Sequence, residues 1–431
     1  MFAFHETTRK YVSRIAFVAL CVAPTLFTAW WIAGHHWPGR KGRLARELSE
    51  SLNVHVKLAN WREPRPRVVR VQHLTISDPS SAQLLTELNL LEVHRGAVRA
   101  YTLDEVTIEA AQLDRVAAKV LGWTEKLPPE VHEIRCRRLN LRFTDGRPAQ
   151  SQATSPRVFT LHHIRGRINR DAAGRRTIQL MGYETENPTE DSPKVTLTLA
   201  PSSDAASAAP ALTLESIGVA IPGQVLSSAA LGFGSLGVDA TFRGIVRWTL
   251  AQPETTAIAQ GRLDGVDLAK LLPADSPHTL QGQATVELSE LSWRGARIER
   301  LAGAVHAEHV QMSRSLIDAA AFTHGFQCRQ DGSGTPVAGE PSLVSVDVLA
   351  VQFQLDAEGL VFSGNCPPDV TAQPGCIAVS GVQPLVIEPP YPGHKWPLGV
   401  LFQTLSARPT AWLPATRDAV DMASRLPLPL R

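Results

Sequence analysis

LNVHVKLANW (52–61), RVVRVQHLTISDP (67–79) and TELNLLEVHRGAVRAYTLDEVTIEAAQL (86–113) follow one another with only short breaks. Each alternates apolar and polar residues with a period close to two. Val54, Val56 and Leu58 share one face of the first stretch; Val69 and Val71 do so in the second, as do Leu74 and Ile76 after an irregularity. Successive side chains of a strand point to opposite faces, so this spacing describes strands buried on one side. The Ser77-Asp78-Pro79-Ser80 cluster makes a turn between two of them. Leu88, Leu90 and Val93 mark a third strand. Tyr101, Leu103, Val106 and Ile108 mark a fourth, whose slips from strict alternation read as bulges.

Downstream, Leu113, Val116, Ala117 and Val120 lie on one helical face, with Gly122 as the stop. EIRCRRLNLRF (133–143) returns to strand, and strands continue over 157–169, 176–184, 194–200, 237–250, 257–263, 280–291, 297–308 and twice within 342–362. GQATVELSELSW (282–293) is the cleanest alternation in the chain. Composition makes loops of 145–156 and 200–211, and 313–321 reads as a short helix. Strand does not alternate with crossover helix often enough for a doubly wound parallel sheet. The expected fold is mostly β and mainly antiparallel, with a few short helices.

Upstream, IAFVALCVAPTLFTAWWIA (15–33) has no charged residue. As a helix it measures roughly 28 Å, enough to cross a bilayer core of about 30 Å. Trp30, Trp31 and Trp37 stand at its far end, where amphipathic rings favour the headgroup level. Pro24 is tolerated in membrane helices. Trp31 at the −3 position before Gly34 makes a poor signal-peptide cleavage site, and Leu20 before Cys21 fits a lipoprotein site badly, so the span reads as an uncleaved anchor. Arg9, Lys10 and Arg14 precede it, while Arg40, Lys41, Arg43 and Arg46 follow it; flanking charge alone therefore does not place the bulk of the chain outside. Residues 39–52 carry Leu44, Leu48 and Leu52 at four-residue spacing opposite basic residues, the pattern of an amphipathic helix on a membrane surface. The expected organisation is a tail (1–14), a transmembrane helix (15–34), a juxtamembrane helix (39–52), three β regions (53–145, 157–250 and 257–390), and a helical or irregular tail (395–431).

Lys plus Arg is 43 and Asp plus Glu is 41, a net charge of only +2, which argues against a nucleic-acid binder. Of five cysteines, Cys366 and Cys376 bracket the loop CPPDVTAQPGC and form a disulfide candidate outside the cytosol; two unrelated thiols are the other reading. No cysteine spacing resembles a zinc site. GFGSLG (232–237) matches G-x-G-x-x-G, but the residues after it are β formers with no helix start, so it is a glycine-rich turn and not a cofactor loop. His306 and His309 bracket Glu308 in a strand-like segment and read as surface histidines. His162 and His163 are strand neighbours expected on opposite faces. Arg135, Arg137, Arg138 and Arg142 form a basic cluster that reads either as a rim for lipid phosphates or as a solvated strand face. No nucleophile elbow and no Ser/His/Asp set stands out. No enzyme activity, cofactor or metal is expected.

The span, the leucine-bearing helix and the strand–turn–strand of 52–79 resemble the AsmA-like superfamily of envelope proteins, the group that includes TamB and is related to chorein-type lipid-transfer proteins. LLTELNLLEVHRGAVRAYTLDEVTIEAAQLDRV (84–116) looks like that family's repeating strand unit. GRLDGVDLAKLLP (261–273), GQATVELSELSWRGARIERLAGAVHAEHVQM (282–312) and SRSLIDAAA (313–321) look like its C-terminal repeats. Together these matches cover about half the chain, in hydrophobic pattern, Gly and Asp rather than in catalytic residues. The resemblance implies a curved, taco-like β groove on a single-pass bacterial inner-membrane anchor, with the bulk of the chain periplasmic. It implies glycerophospholipid movement in support of outer-membrane assembly, with another envelope protein as a distal partner. Val54, Val56, Leu58, Val69, Val71, Leu103, Val286, Leu288 and Leu291 are the residues expected to line such a groove. The competing reading is a closed β core in an envelope scaffold that moves no lipid.

Overall fold

The computed structural model describes residues 6–35, 39–65, 67–96, 98–127, 131–143, 156–170, 174–201, 210–229, 233–250, 256–273, 275–295, 297–330, 343–367, 375–380, 385–388 and 393–397. Three helical segments open the chain: α1 (Glu6–Phe17), a π-helical turn (Val18–Val22) and α2 (Ala23–His35). A single transmembrane helix over 15–34 is not what forms. Among the described residues no helix is long and apolar enough to cross a membrane. Pro24 supplies the physical reason for the interruption. It brings no N–H to the carbonyl of Leu20 and crowds it, and the preceding turn widens so that the Ala23 N–H donates to the carbonyl of Val18. Backbone dihedrals stay helical on both sides of the π turn, at Phe17 and at Ala23. Trp37, expected as an interfacial anchor, lies outside the described residues.

Helix α3 (Gly39–Leu52) leads directly into the sheet. Val54 donates its N–H to the Ser49 carbonyl (3.1 Å), and Val56 donates to the Ser49 hydroxyl (3.0 Å), so the end of α3 fixes the start of the first strand.

Among the described residues every strand belongs to one sheet. Its main ladder runs β1 (His55–Arg65), β2 (Val68–Ser77), β3 (Leu84–Arg95), β4 (Val98–Glu109), β5 (Val131–Phe143), β6 (Arg157–Arg170), β7 (Arg176–Tyr183), β8 (Lys194–Ala200), β9 (Ala211–Ile217), β10 (Thr241–Thr249), β11 (Thr256–Asp267), β12 (Gln283–Arg294), β13 (Arg297–Ser313), β14 (Leu343–Asp356) and β15 (Gly359–Gly364). Each strand pairs with the next in chain order, and the ladder passes through all three expected β regions without a break. At about 4.8 Å per strand the ladder spans roughly 70 Å, and it does not close on itself. Short strands add to it, among them Lys395–Trp396 on β15. The expected tail 395–431 therefore begins as strand; residues 398–431 lie outside the described residues.

All pairings within this ladder are antiparallel except β4–β5, which is parallel. A parallel neighbour needs a crossover, and α4 (Leu113–Glu125) provides it. The helix continues three residues past Gly122, the expected stop. Its buried Leu113, Ala117, Leu121 and Thr124 form one stripe against the sheet. Helix α5 (Arg314–His324) follows β13 and ends on Gly325 in the left-handed conformation.

Candidate functional site

The apolar face of β1–β6 is organised by one irregularity repeated in register. On each of these strands the inward residues step by three rather than two: Leu58 and Trp61, Val71 and Leu74, Leu88 and Leu91, Leu103 and Val106, Cys136 and Leu139, Leu161 and Ile164. Cross-strand pairing aligns them in two unbroken rows. Leu58, Leu74, Leu88, Val106, Leu139 and Leu161 form one; Trp61, Val71, Leu91, Leu103, Cys136 and Ile164 form the other. His73 on β2 and His163 on β6 adopt left-handed backbone at this crease (φ 47° and 51°). Strands bend and twist more strongly at such bulges, which curves the sheet around its apolar face. Burial pushes the Cys136 thiol up to about 12.

The nine expected lining residues share this face. Val54, Val56, Leu58, Val69 and Val71 belong to a buried cluster at the α3 end of the sheet. Val286, Leu288 and Leu291 belong to a second, larger cluster. Leu103, half-buried, packs against both, as do Val106 and Val116. The apolar strip is thus continuous from the first strand to the distal ones.

Helix α4 covers part of that strip, and its polar ties reach far along the chain. Asp114 accepts a hydrogen bond from the Trp248 indole on β10 (2.8 Å). Arg115 donates to Gln83 at the β2–β3 turn (3.0 Å), and Lys119 donates to the carbonyl of Asn53 before β1 (3.0 Å). Arg176 on β7 donates to the carbonyls of Thr124 and Leu127 at the other end of the helix. Trp123 meets Tyr101 edge-on, and Tyr101 stacks on the buried His132 (5.9 Å). Burial holds the Asp114 carboxyl above its ordinary value, opposed by the Trp248 hydrogen bond. None of these ties had a local sequence signal: Asp114 and Trp248 are 134 residues apart.

The opposite face is polar. Because the inward step is three residues at the crease, two consecutive residues of each strand point outward there. Asn89 and Glu105 are among them, and with Asn140 and Thr160, outward residues just beyond the step on their own strands, they build a ladder across the sheet: Asn89 and Asn140 both donate to Glu105 (2.6 Å each), and Thr160 donates to Asn140 (3.0 Å). His162 and His163 were expected on opposite faces, but the bulge turns both toward Glu186. His162 Nδ1 lies 3.9 Å from its carboxylate and His163 Nε2 lies 2.6 Å from its carbonyl. Partial burial holds the His162 imidazole below its ordinary value, against the pull of Glu186. Arg135, Arg137, Arg138 and Arg142 fall on this polar face and not beside the groove candidates. Arg135 pairs with Glu133 (3.2 Å), Arg137 with Asp104 (3.4 Å) and Arg138 with Glu186 (3.1 Å).

Elsewhere, Phe233–Leu236 forms a 3-10 turn followed by β10, so no helix opens beyond the GFGSLG glycines. His306 and Glu308 are 3.5 Å apart on β13, and His309 marks another left-handed bulge (φ 53°). Among the described residues no group of three or more His, Cys, Asp or Glu could hold a metal ion. The thiols of Cys366 and Cys376 lie 3.2 Å apart, and the Cys366 N–H donates to the Cys376 carbonyl (3.1 Å). Comparison with known proteins finds no matching family model and no match among curated proteins.

Proposed function

We propose that this chain is a membrane-tethered β trough that shelters lipid acyl chains along its apolar face. The carrying observation is the continuity of that face, from the strands nearest the N-terminal helices through Leu103 and Val106 to Val286 and Leu288. Acyl chains need apolar contact and no hydrogen bonds, and a sheet satisfies its own backbone while offering such a surface. The tether is the uncharged segment 15–33. Ile15, Phe17, Leu20, Leu26, Phe27 and Trp30 all stand exposed on it, and a lipid phase would cover them. Helical dihedrals persist across the π turn, and Thr28 turns its hydroxyl back onto the helix to donate to the Pro24 carbonyl (2.9 Å), which suits a segment that must satisfy its polar groups internally. The AsmA-like resemblance supplies the location, a single pass in a bacterial inner membrane with the β body in the periplasm, and glycerophospholipid as cargo. The reading assigns no covalent chemistry to any residue.

One observation favours a second reading, a closed-core scaffold that recruits another envelope protein: central residues such as Phe242 and Val246 are fully buried. Photoreactive side chains at Val56, Val71 and Leu288, irradiated in cells, separate the two. Phospholipid adducts at these positions support the trough. Their absence at all three, with no lipid retained by detergent-extracted protein in native mass spectrometry, leaves the scaffold.

A further inference from the structure

The polar face carries a concavity of about 570 Å³ between β5, β6, β7 and β8, onto which Arg135, Arg165 and Arg167 converge. Met181 and Thr196 contribute to its lining, and Glu133 is its only carboxylate among the described residues. Arg165 lies directly opposite Arg135 in the β5–β6 register, and Arg167 opposite Glu133. Like charges facing each other across a sheet destabilise it, and several other arginines of the sheet are matched with carboxylates. Arg70 meets Glu92, Arg137 meets Asp104, Arg262 meets Asp264 and Arg300 meets Glu290. Here Glu133 is engaged by Arg135 at 3.2 Å, and Arg165 and Arg167 have no ion pair among the described residues. Gly166 between them keeps β6 tight against β7: a Cβ there would come within 2.3 Å of the Leu180 side chain and 2.9 Å of the Gln179 carbonyl. Two unmatched guanidinium groups are therefore held in adjacent outward positions on a rigid strand.

We propose that this concavity is a binding site for a phosphate ester. Guanidinium forks match phosphate oxygens in pairs, and a dianion would relieve the Arg135–Arg165 repulsion. The space exceeds what a bare phosphate fills, and Met181 with the Thr196 methyl offers the ester's carbon skeleton an apolar contact. The site is separate from the trough and does not depend on it. The phosphate comes either from a soluble ester or from a phospholipid headgroup.

The test uses the full-length chain in detergent, with calorimetric titration of glycerol 3-phosphate as the soluble arm. Flotation with vesicles of phosphatidylglycerol against phosphatidylcholine is the lipid arm. The control is the charge-matched double variant Arg294→Gln/Arg300→Gln. Arg165→Gln/Arg167→Gln should weaken binding at least ten-fold in whichever arm binds, while the control stays within two-fold of wild type. Both arginines are exposed, so the variant should melt at or above the wild-type temperature, which verifies folding. Saturable glycerol 3-phosphate binding assigns a soluble ester, and phosphatidylglycerol-dependent flotation lost in the variant assigns a headgroup. Saturable binding in neither arm, or equal losses in the variant and the control, overturns the site.

Discussion

The α3 end of the sheet and its centre bury their apolar faces to different depths. Around β1 and β2, Val56 remains 5% exposed and Val69 8%, whereas Phe242 and Val246 on β10 are at 0%. The centre is closed over by the 3-10 turn Gly223–Ala229, whose Val225 and Leu226 are also fully buried. At the α3 end the cover is α3 and α4, two helices that touch the face along single stripes. A sheet face covered by a folded-over turn is a dry core. One covered by helices held through a few polar ties can take in another apolar body. The difference makes the end nearest the tether the more open part of the proposed acyl-chain shelter and the centre the part most fully closed over.

Core truncation breaks or sharpens this contrast most strongly. Phe242→Ala should cost about 3–5 kcal/mol and Leu226→Ala near the upper part of the ~2–5 kcal/mol range for such deletions. Leu58→Ala should fall at the lower end, since water or lipid can fill the space it leaves. Urea denaturation measures all three, and a Leu58→Ala cost equal to that of Leu226→Ala would make the α3 end as dry as the centre. Next comes the distal end. Oxidation of Cys366 and Cys376 to a disulfide should stabilise by about 3 kcal/mol on chain-entropy grounds. The non-reduced protein should weigh two hydrogens less, and Cys366→Ser should abolish both effects.

The tie between the two regions is the third test. Trp248→Phe removes the indole donor to a buried carboxylate and should cost about 1–3 kcal/mol, with faster proteolysis around α4 as the local readout. The pH dependence of Asp114 follows. Its carboxyl titrates above the unfolded value of about 3.9, so the folded chain binds protons more strongly in the window between the two values. Stability contributed by this group therefore falls as pH rises through that window and is level above it. Asp114→Asn keeps the acceptor for Trp248 and should flatten that slope in denaturation curves taken across the window. Smallest is the crease: His73→Gly should change stability by under about 1 kcal/mol, because relief of left-handed backbone is offset by greater freedom in the unfolded chain.

Much of the ladder was legible because period-two alternation is a local property. The stretch 282–293 forms β12, and 39–52 and 313–321 form helices within a few residues of their expected bounds. The irregularity after Val71 and the slips between Leu103 and Val106 were also visible, each within a single strand. That they align into two rows was not, because alignment is a matter of register between segments up to about a hundred residues apart. β9 escaped notice, following a Pro- and Ser-rich loop that masks its Leu212 and Leu214 alternation. The four-arginine cluster on β5 drew attention by composition, yet three of its members are paired with carboxylates, two of which come from other parts of the chain. Arg165 and Arg167 show nothing unusual until β5 and β6 are laid side by side.

The sequence by itself determined the β class, the buried face of strands with clean alternation such as β1 and β12, the position of the helices and the uncharged segment before them. These depend on spacing along the chain and on composition. Only the tertiary structure decided that β4 and β5 run parallel with α4 laid between them and that Pro24 divides the N-terminal helix with a π turn. It also set His162 and His163 on the same side and matched some arginines with carboxylates while leaving others unmatched. Those outcomes depend on which distant segments meet and on where one extra residue shifts a strand's facing, and neither is encoded at any single position.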